Sequence, residues 1–195
     1  MANLEPLIQS IPVAPLKLAS LEGCRTLADQ VNNYLVSFRH ESPTNVGQAD
    51  SLQGYCADSY LLECECPRFG SGEGKGVLKE SVRGCDLFIM VDVTNYSLTY
   101  RVNGYENHMS PDNHYQDLKR IISAADGKAR RINVIMPFLY EGRQHKRSKR
   151  ESLDCALMLQ ELVDMGVSNI LTFDAHDPRC LLYTSPSPRD MRRSR

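Results

Sequence analysis

Apolar residues fall along this chain in short continuous runs, and between the runs they recur at helical spacing. Leu16 to Ala19 is a short run that reads as a strand, and Leu27, Val31, Leu35 and Phe38 then lie on one helix face. His40 to Gln53 is polar, with Ser-Pro and Asn, and reads as a loop before a second strand candidate at Tyr60 to Cys64. Asp86 to Val93 is a continuous apolar run between acidic residues, the pattern of a strand covered on both faces. Ser110-Pro111 offers a cap with Pro in the first turn of a helix carrying Tyr115, Leu118, Ile121, Ile122 and Ala125, which Gly127 can close. Arg131 to Met136 is another buried strand. Leu153, Leu157, Leu159, Leu162 and Val163 predict a helix over Ser152 to Met165 closed by Gly166, and Asn169 to Phe173 is the last strand. No internal repeat is visible. The alternation predicts an α/β fold, a parallel sheet with helices on both faces.

Composition narrows the class. Hydrophobic residues are 42% of 195, enough for a full core, and the net charge of −1 sets up no global field toward nucleic acid or a membrane. No apolar run approaches a membrane span, and Met-Ala-Asn-Leu-Glu-Pro lacks the basic start and apolar run of a signal peptide. Of the seven cysteines, Cys64 and Cys66 are separated by a single residue rather than by the two to four of zinc sites. They read as reduced thiols of a cytoplasmic protein. Cys180 to Asp190 (Cys-Leu-Leu-Tyr-Thr-Ser-Pro-Ser-Pro-Arg-Asp) resembles one reading frame of a transposon-type sequencing adapter and has neither helical nor strand period. The expectation is a native domain over 1–179 and a non-native, disordered tail over 180–195. That tail holds four Arg and one Asp; taking its +3 from −1 leaves residues 1–179 at −4, so its basic end is not read as a nucleic-acid arm.

The candidate chemistry gathers after two strands. Met136 to Arg150 follows one of them and carries Arg143, Lys146, Arg147, Lys149 and Arg150 with His145 among them; Asp174-Ala-His-Asp177 follows the other. Open α/β sheets bind ligands at the carboxyl ends of their strands, so the pair suggests a polyphosphate held by cations together with a divalent metal. Read by itself, the basic run fits a solvated loop as well as a phosphate grip, although Arg offers bidentate donors and Gln144 can read a nucleotide edge or a sugar. His176 fits a solvated loop histidine or a Mg²⁺ ligand, direct or through water. Asp92 and Asn95 could line the same edge. Gly70-Ser-Gly-Glu-Gly-Lys-Gly76 fails both the P-loop spacing and the dinucleotide fingerprint and reads alone as a flexible turn.

Four motifs in order, Phe69-Gly-Ser-Gly-Glu73, Glu80-Ser-Val-Arg-Gly-Cys-Asp86, Pro137-Phe-Leu-Tyr-Glu-Gly-Arg-Gln144 and Asp174-Ala-His176, resemble those of ribose-phosphate pyrophosphokinases, the enzymes that make phosphoribosyl pyrophosphate. The resemblance covers about Arg68 to Arg179. It implies a phosphoribosyltransferase-like fold, the N-terminal half of a two-domain enzyme. It implies that Arg143 and Gln144 contact ATP, that His176 binds Mg²⁺ on its phosphates, and that Phe69, Ser71 and Glu73 hold adenine from a neighbouring subunit of a homo-oligomer. Arg83, Lys149 and Arg150 would lie near a regulatory phosphate site. The implied reaction is attack of the 1-hydroxyl of ribose 5-phosphate on the β-phosphorus of ATP, with AMP leaving.

The chain also departs from that pattern. Ser71 stands where the family has Asp or Asn, His145 where it has Asp, and Ser152 where it has Pro; the basic loop is one residue short, and residues 1–65 are divergent. Neither the acidic pair with Thr-Gly-Gly-Thr that holds the ribose phosphate nor the catalytic Lys-Arg loop appears. No catalytic residue is therefore assigned in this fragment, which is expected to have no turnover alone. A non-catalytic regulatory subunit of a pyrophosphokinase assembly is the alternative. Binding of nucleic acid by Arg143 to Arg150 is disfavoured by the negative remainder of the chain and the lack of aromatic residues within the run.

Overall fold

The computed structural model describes residues 12–41, 54–146 and 149–176. The tail from Cys180, Asp177, Arg147 and most of the loop expected over His40 to Gln53 lie outside them. Strand β1 (Leu16–Ser20) leads through a 3₁₀ turn at Glu22–Cys24 into helix α1 (Arg25–Glu41), which absorbs His40. Strands β2 (Leu61–Leu62), β3 (Cys64–Glu65), β4 (Val77–Leu78) and β5 (Asp86–Met90) follow. Next come β6 (Thr99–Val102), β7 (Tyr105–His108), α2 (Pro111–Ala125), β8 (Arg131–Ile135), α3 (Asp154–Asp164) and β9 (Val167–Leu171). Five strands form one parallel sheet in the order β2-β1-β5-β8-β9. Two antiparallel ribbons, β3-β4 and β6-β7, stand outside it.

Helices cover both faces, as the alternation predicts. Leu118, Ile121 and Ile122 of α2 and Met158, Leu159 and Leu162 of α3 share one core with Leu87, Ile89, Ile132 and Val134. Leu27, Ala28 and Val31 of α1 pack with Leu18, Phe88, Met90 and Ile135 on the other face. Fully burying one such side chain is worth about 1.5–3 kcal/mol. A polar ladder crosses this second face. Arg131 makes a bidentate pair with Asp86, Asn133 donates to Asp86, and Asn169 donates to Asn133. No buried side-chain polar atom among the described residues lacks a partner, so the ladder is satisfied.

Helix α2 begins as its sequence indicates, with Ser110 Oγ accepting from the Asn113 amide at 3.2 Å and Pro111 in the first turn. Its C-cap, Asp126, takes the left-handed conformation just ahead of Gly127. Helix α3 departs from expectation. It starts at Asp154, and Leu157 and Val163 are 61% and 58% exposed, while Cys155 and Met158 are buried. The buried stripe at 155, 158, 159 and 162 is a three-four repeat that the count of leucines obscures. The last strand is Val167–Leu171 rather than Asn169 to Phe173; past Leu171 the regular ladder gives way to separate backbone bonds and a single bridge between Phe138 and Asp174.

Candidate functional site

The two polar segments singled out by the sequence leave adjacent parallel strands, β8 and β9, at the same sheet edge. Backbone bonds lace them together beyond the strands. The Phe173 and Asp174 amides donate to Pro137 O at 3.0 and 2.9 Å, and the Leu139 amide donates to Asp174 O at 3.1 Å. Gly142 is buried, and a Cβ there would stand 3.0 Å from Leu139 O and 3.7 Å from the His176 amide nitrogen. Glu141 before it has φ 56°, a left-handed conformation that a non-glycine residue adopts at a cost. Burial first, then the charges of Asp154 and Asp112, hold the Glu141 carboxyl above its usual range. The loop is also pinned from below. Tyr140 stacks on Tyr115 at 4.6 Å and donates to Asp112 at 2.6 Å, and Tyr115 donates to Glu161 at 2.8 Å.

This lacing brings His145 and His176 together, with ring centroids 5.9 Å apart. His145 Nδ1 is 3.1 Å from Gly142 O. Arg143, two positions before His145 in the same loop, is exposed. Gln144 is differently placed. Its side-chain amide donates to Ser152 O at 2.8 Å, and its own carbonyl accepts from the Cys155 amide at 3.3 Å, which ties the basic loop to the start of α3. Lys149 and Arg150 are exposed just before that helix. Arg83 is exposed in the turn that precedes β5, at the opposite edge of the parallel sheet, so within one chain it does not meet Lys149 or Arg150.

The glycine-rich segment is the tip of the β3-β4 ribbon and is pinned, not loose. The Phe69 amide donates to Glu73 O at 2.7 Å, the Gly72 amide to Phe69 O at 2.9 Å, and Ser71 Oγ to Glu73 Oε2 at 2.8 Å. Phe69 projects outward, 53% exposed. Below the tip, Arg68 makes a bidentate pair with Asp117 at 2.7 and 2.8 Å, and Arg120 joins the same carboxylate at 2.6 Å. Arg68 also lies 5.3 Å from the Tyr100 ring of β6. Burial pulls the Arg68 pKa down, but the Asp117 bond and charge outweigh it and leave it above its ordinary value. No hydrogen bond, ion pair or ring contact joins Phe69, Ser71 or Glu73 to Arg143, Gln144 or His176.

Asp92 and Asn95 do follow β5 at the site edge, but both side chains already have partners within the chain. Asp92 accepts from Thr94, while Asn95 accepts from Ser97 and reaches Gly23 O. The six described cysteines are free thiols. Among the described residues, no three His, Cys, Asp or Glu side chains cluster as a self-sufficient metal cage, and no helix is long and apolar enough to cross a membrane. A cation at His176 would therefore keep other ligands, which suits Mg²⁺ held largely by water and substrate phosphate.

Comparison with known proteins bears on the domain as a whole. Residues 16–166 match the family model for the N-terminal domain of ribose phosphate pyrophosphokinase. Ribose-phosphate pyrophosphokinases of Corynebacterium ammoniagenes and Bacillus cereus are each 29% identical over 166 residues, which is 84% of this chain and 41% of theirs. That of Bacillus caldolyticus is 30% identical over 121 residues, 61% of this chain and 34% of its own. The crystal structure of phosphoribosylpyrophosphate synthetase from Mycobacterium smegmatis superposes with a TM-score of 0.60 at 24% identity, covering 87% of this chain and 45% of that one. The chain thus spans less than half the length of these relatives. A match that runs from the first strand to the end of α3 shows that the chain belongs to the ribose phosphate pyrophosphokinase family, of which it carries the N-terminal domain.

Proposed function

We propose that this chain is the nucleotide-binding half of a cytoplasmic enzyme that transfers the β,γ-diphosphoryl group of ATP to the 1-hydroxyl of ribose 5-phosphate, giving phosphoribosyl pyrophosphate and AMP. The observation that carries the reading is the backbone lacing of the two strand exits. It presents Arg143 and His176 from neighbouring loops, where a polyphosphate can bridge them. Diphosphoryl transfer depends on positioning and on neutralising charge that shifts toward the leaving phosphate, and a guanidinium carried on a tethered loop can serve both. Mg²⁺, when bound at His176, would withdraw charge from the phosphate oxygens. Gln144 acts in this reading through its bond to Ser152, holding the loop so that Arg143 faces the ligand.

Phe69, Ser71 and Glu73 serve adenine across a subunit boundary. Their separation from Arg143 and His176 within one chain, and the outward Phe69 ring, favour a homo-oligomer over a site closed within one copy. The same logic applies to Arg83 with Lys149 and Arg150, which can share a regulatory phosphate only if two chains meet. No acidic pair with Thr-Gly-Gly-Thr occurs within residues 1–195, and this reading expects no turnover from those residues alone.

The test is AMP release from ATP and ribose 5-phosphate by two proteins. One is the 195-residue chain, and the other is the product of the source gene read past codon 179. AMP formation that requires ribose 5-phosphate, in the longer protein only, supports the reading. Release of ADP, or AMP from the short chain alone, overturns it. A longer protein that binds ATP yet forms no AMP would make the chain a regulatory subunit.

A further inference from the structure

The β6-β7 hairpin stands beside the β3-β4 tip, and a role for it rests on the reading of Phe69, Ser71 and Glu73 as adenine contacts. Side chains alternate between the two faces of a ribbon. The pairings of Tyr100 with Asn107 and of Val102 with Tyr105 put these four residues on one face, and Thr99, Arg101, Glu106 and His108 take the other. The first face meets the tip. Gly72 has φ 92°, and a Cβ there would stand 3.1 Å from Val102 Cγ2, so the two ribbons touch at this point. The Arg68 guanidinium lies 5.3 Å from the centre of the Tyr100 ring, a second contact that holds the hairpin against the ribbon. Between them runs an open groove of about 720 Å³, with Ser71 and Glu73 on one side and Tyr100, Val102, Tyr105 and Asn107 on the other. Small-molecule clefts span about 300–1,000 Å³.

The lining suits a planar ring that bears an amino group. Tyr105 is a large exposed aromatic on the groove face, and aromatic rings bind bases by stacking. Asn107 is half-buried, and its Nδ2 donates to Tyr105 O at 3.2 Å. A carbonyl only accepts, so the amide group must face it through its nitrogen, and Oδ1 is left as an acceptor. Across the groove, Glu73 accepts from Ser71 Oγ at 2.8 Å and keeps further acceptor capacity. Two acceptors lining one groove pair with an exocyclic amine and are left unpaired by a ring carbonyl. We infer that this hairpin face is the second wall of the nucleobase subsite. Tyr105 stacks on the base and Asn107 Oδ1 accepts from its exocyclic amine, so the site selects an aminopurine over an oxopurine.

The probes are ATP and inosine triphosphate, which carries oxygen in place of the amine. Each is titrated with MgCl₂ present into the 195-residue chain and into Tyr105→Ala, Asn107→Ala, Phe69→Ala and Arg101→Ala variants, with binding read by calorimetry. Tyr105 is exposed and Arg101 lies on the hairpin's other face, so these two variants keep the wild-type melting temperature. Wild type and Arg101→Ala are expected to bind ATP more tightly than inosine triphosphate. Tyr105→Ala should lose about 10–100-fold for both nucleotides, because stacking does not depend on the substituent. Asn107→Ala should lose about 5–10-fold for ATP alone. Wild-type affinity for both nucleotides in both hairpin variants overturns the inference, and an equal loss for the two nucleotides in Asn107→Ala overturns the selection of the amine. If Phe69→Ala weakens ATP while the hairpin variants do not, the adenine reading of the tip stands and only the hairpin's role fails. If Phe69→Ala also binds as wild type does, or wild type binds no ATP, the adenine reading fails with it.

Discussion

Replacing Asp117 by Asn should destabilise the domain far more than its place in a helix would suggest. The carboxylate side chain is 5% exposed and accepts three short bonds, two from Arg68 (9% exposed) and one from Arg120 (21% exposed). Asn keeps the volume but removes the charge, and it presents an NH₂ group to a guanidinium. Breaking a buried ion pair by removing one partner costs about 3–5 kcal/mol, because the stranded charge loses its compensation. Arg120 retains a route to solvent, so the lower end applies, about 3 kcal/mol. For a domain of this size that is a fall in Tm of roughly 6–12 °C. Urea unfolding followed by far-ultraviolet circular dichroism measures it, with Glu80→Gln as the control. Glu80 pairs with Lys17 at side-chain exposures of 54% and 28%, so its loss should stay within about 0.5 kcal/mol. A cost below about 1 kcal/mol for Asp117→Asn, or one equal to the control, would refute the idea that this ion network anchors the β3-β4 ribbon.

Other consequences can be checked on the same protein. A Cβ on Gly76 would overlap the Arg120 carbonyl, which is backbone and cannot swing aside, so Gly76→Ala should cost about 1–3 kcal/mol, whereas Gly70→Ala meets nothing within 4 Å and should be near neutral by the same unfolding assay. Burial pushes the Cys64 thiol up to about 11, and burial with the Asp92 charge pushes Cys24 up to about 12, from an ordinary 9.0. Both thiols keep their protons longer in the folded chain than in the unfolded one. Their contribution to stability is therefore full below pH 9 and is lost as pH rises toward about 11 for Cys64 and about 12 for Cys24. Cys64→Ser should flatten the decline in urea midpoint between those values, and a slope identical to wild type would count against the shift. At pH 8, iodoacetamide should label exposed Cys56 well before buried Cys24, Cys64 and Cys155, as peptide mass mapping would show.

Much of this architecture is legible in the chain because burial and period coincide. Asp86 to Val93 and Arg131 to Met136 are apolar enough to be central strands, and Ser110-Pro111 encodes its cap in two residues. The site edge is legible for the same reason, since parallel strands that follow helices must empty at one side. The β6-β7 hairpin was also written in the sequence and is absent from the expected elements. Val102-Asn-Gly-Tyr105 is a two-residue turn signal, with Asn103 and Gly104 at φ 51° and 84°. Its polar strands hid it, because no apolar run announces a ribbon that lies outside the core. The Asp117 network could not be read at all. Arg68 and Asp117 are 49 residues apart, and no local pattern marks a charge that will be buried by a distant partner. The same holds for the meeting of His145 with His176, which depends on bonds between the Pro137 and Phe173 backbones.

The most direct measurement of the central claim is the affinity of the 195-residue chain for ATP in the presence of MgCl₂, compared with Arg143→Ala by calorimetry. A charge-assisted bond to phosphate is worth about 1.5–3 kcal/mol. The account therefore predicts that ATP binds and that the variant binds it roughly 10–100-fold more weakly, with its melting temperature unchanged. Equal ATP affinity in the two proteins, or no binding to the wild type at millimolar nucleotide, would contradict the assignment of the laced strand exits as the phosphate site.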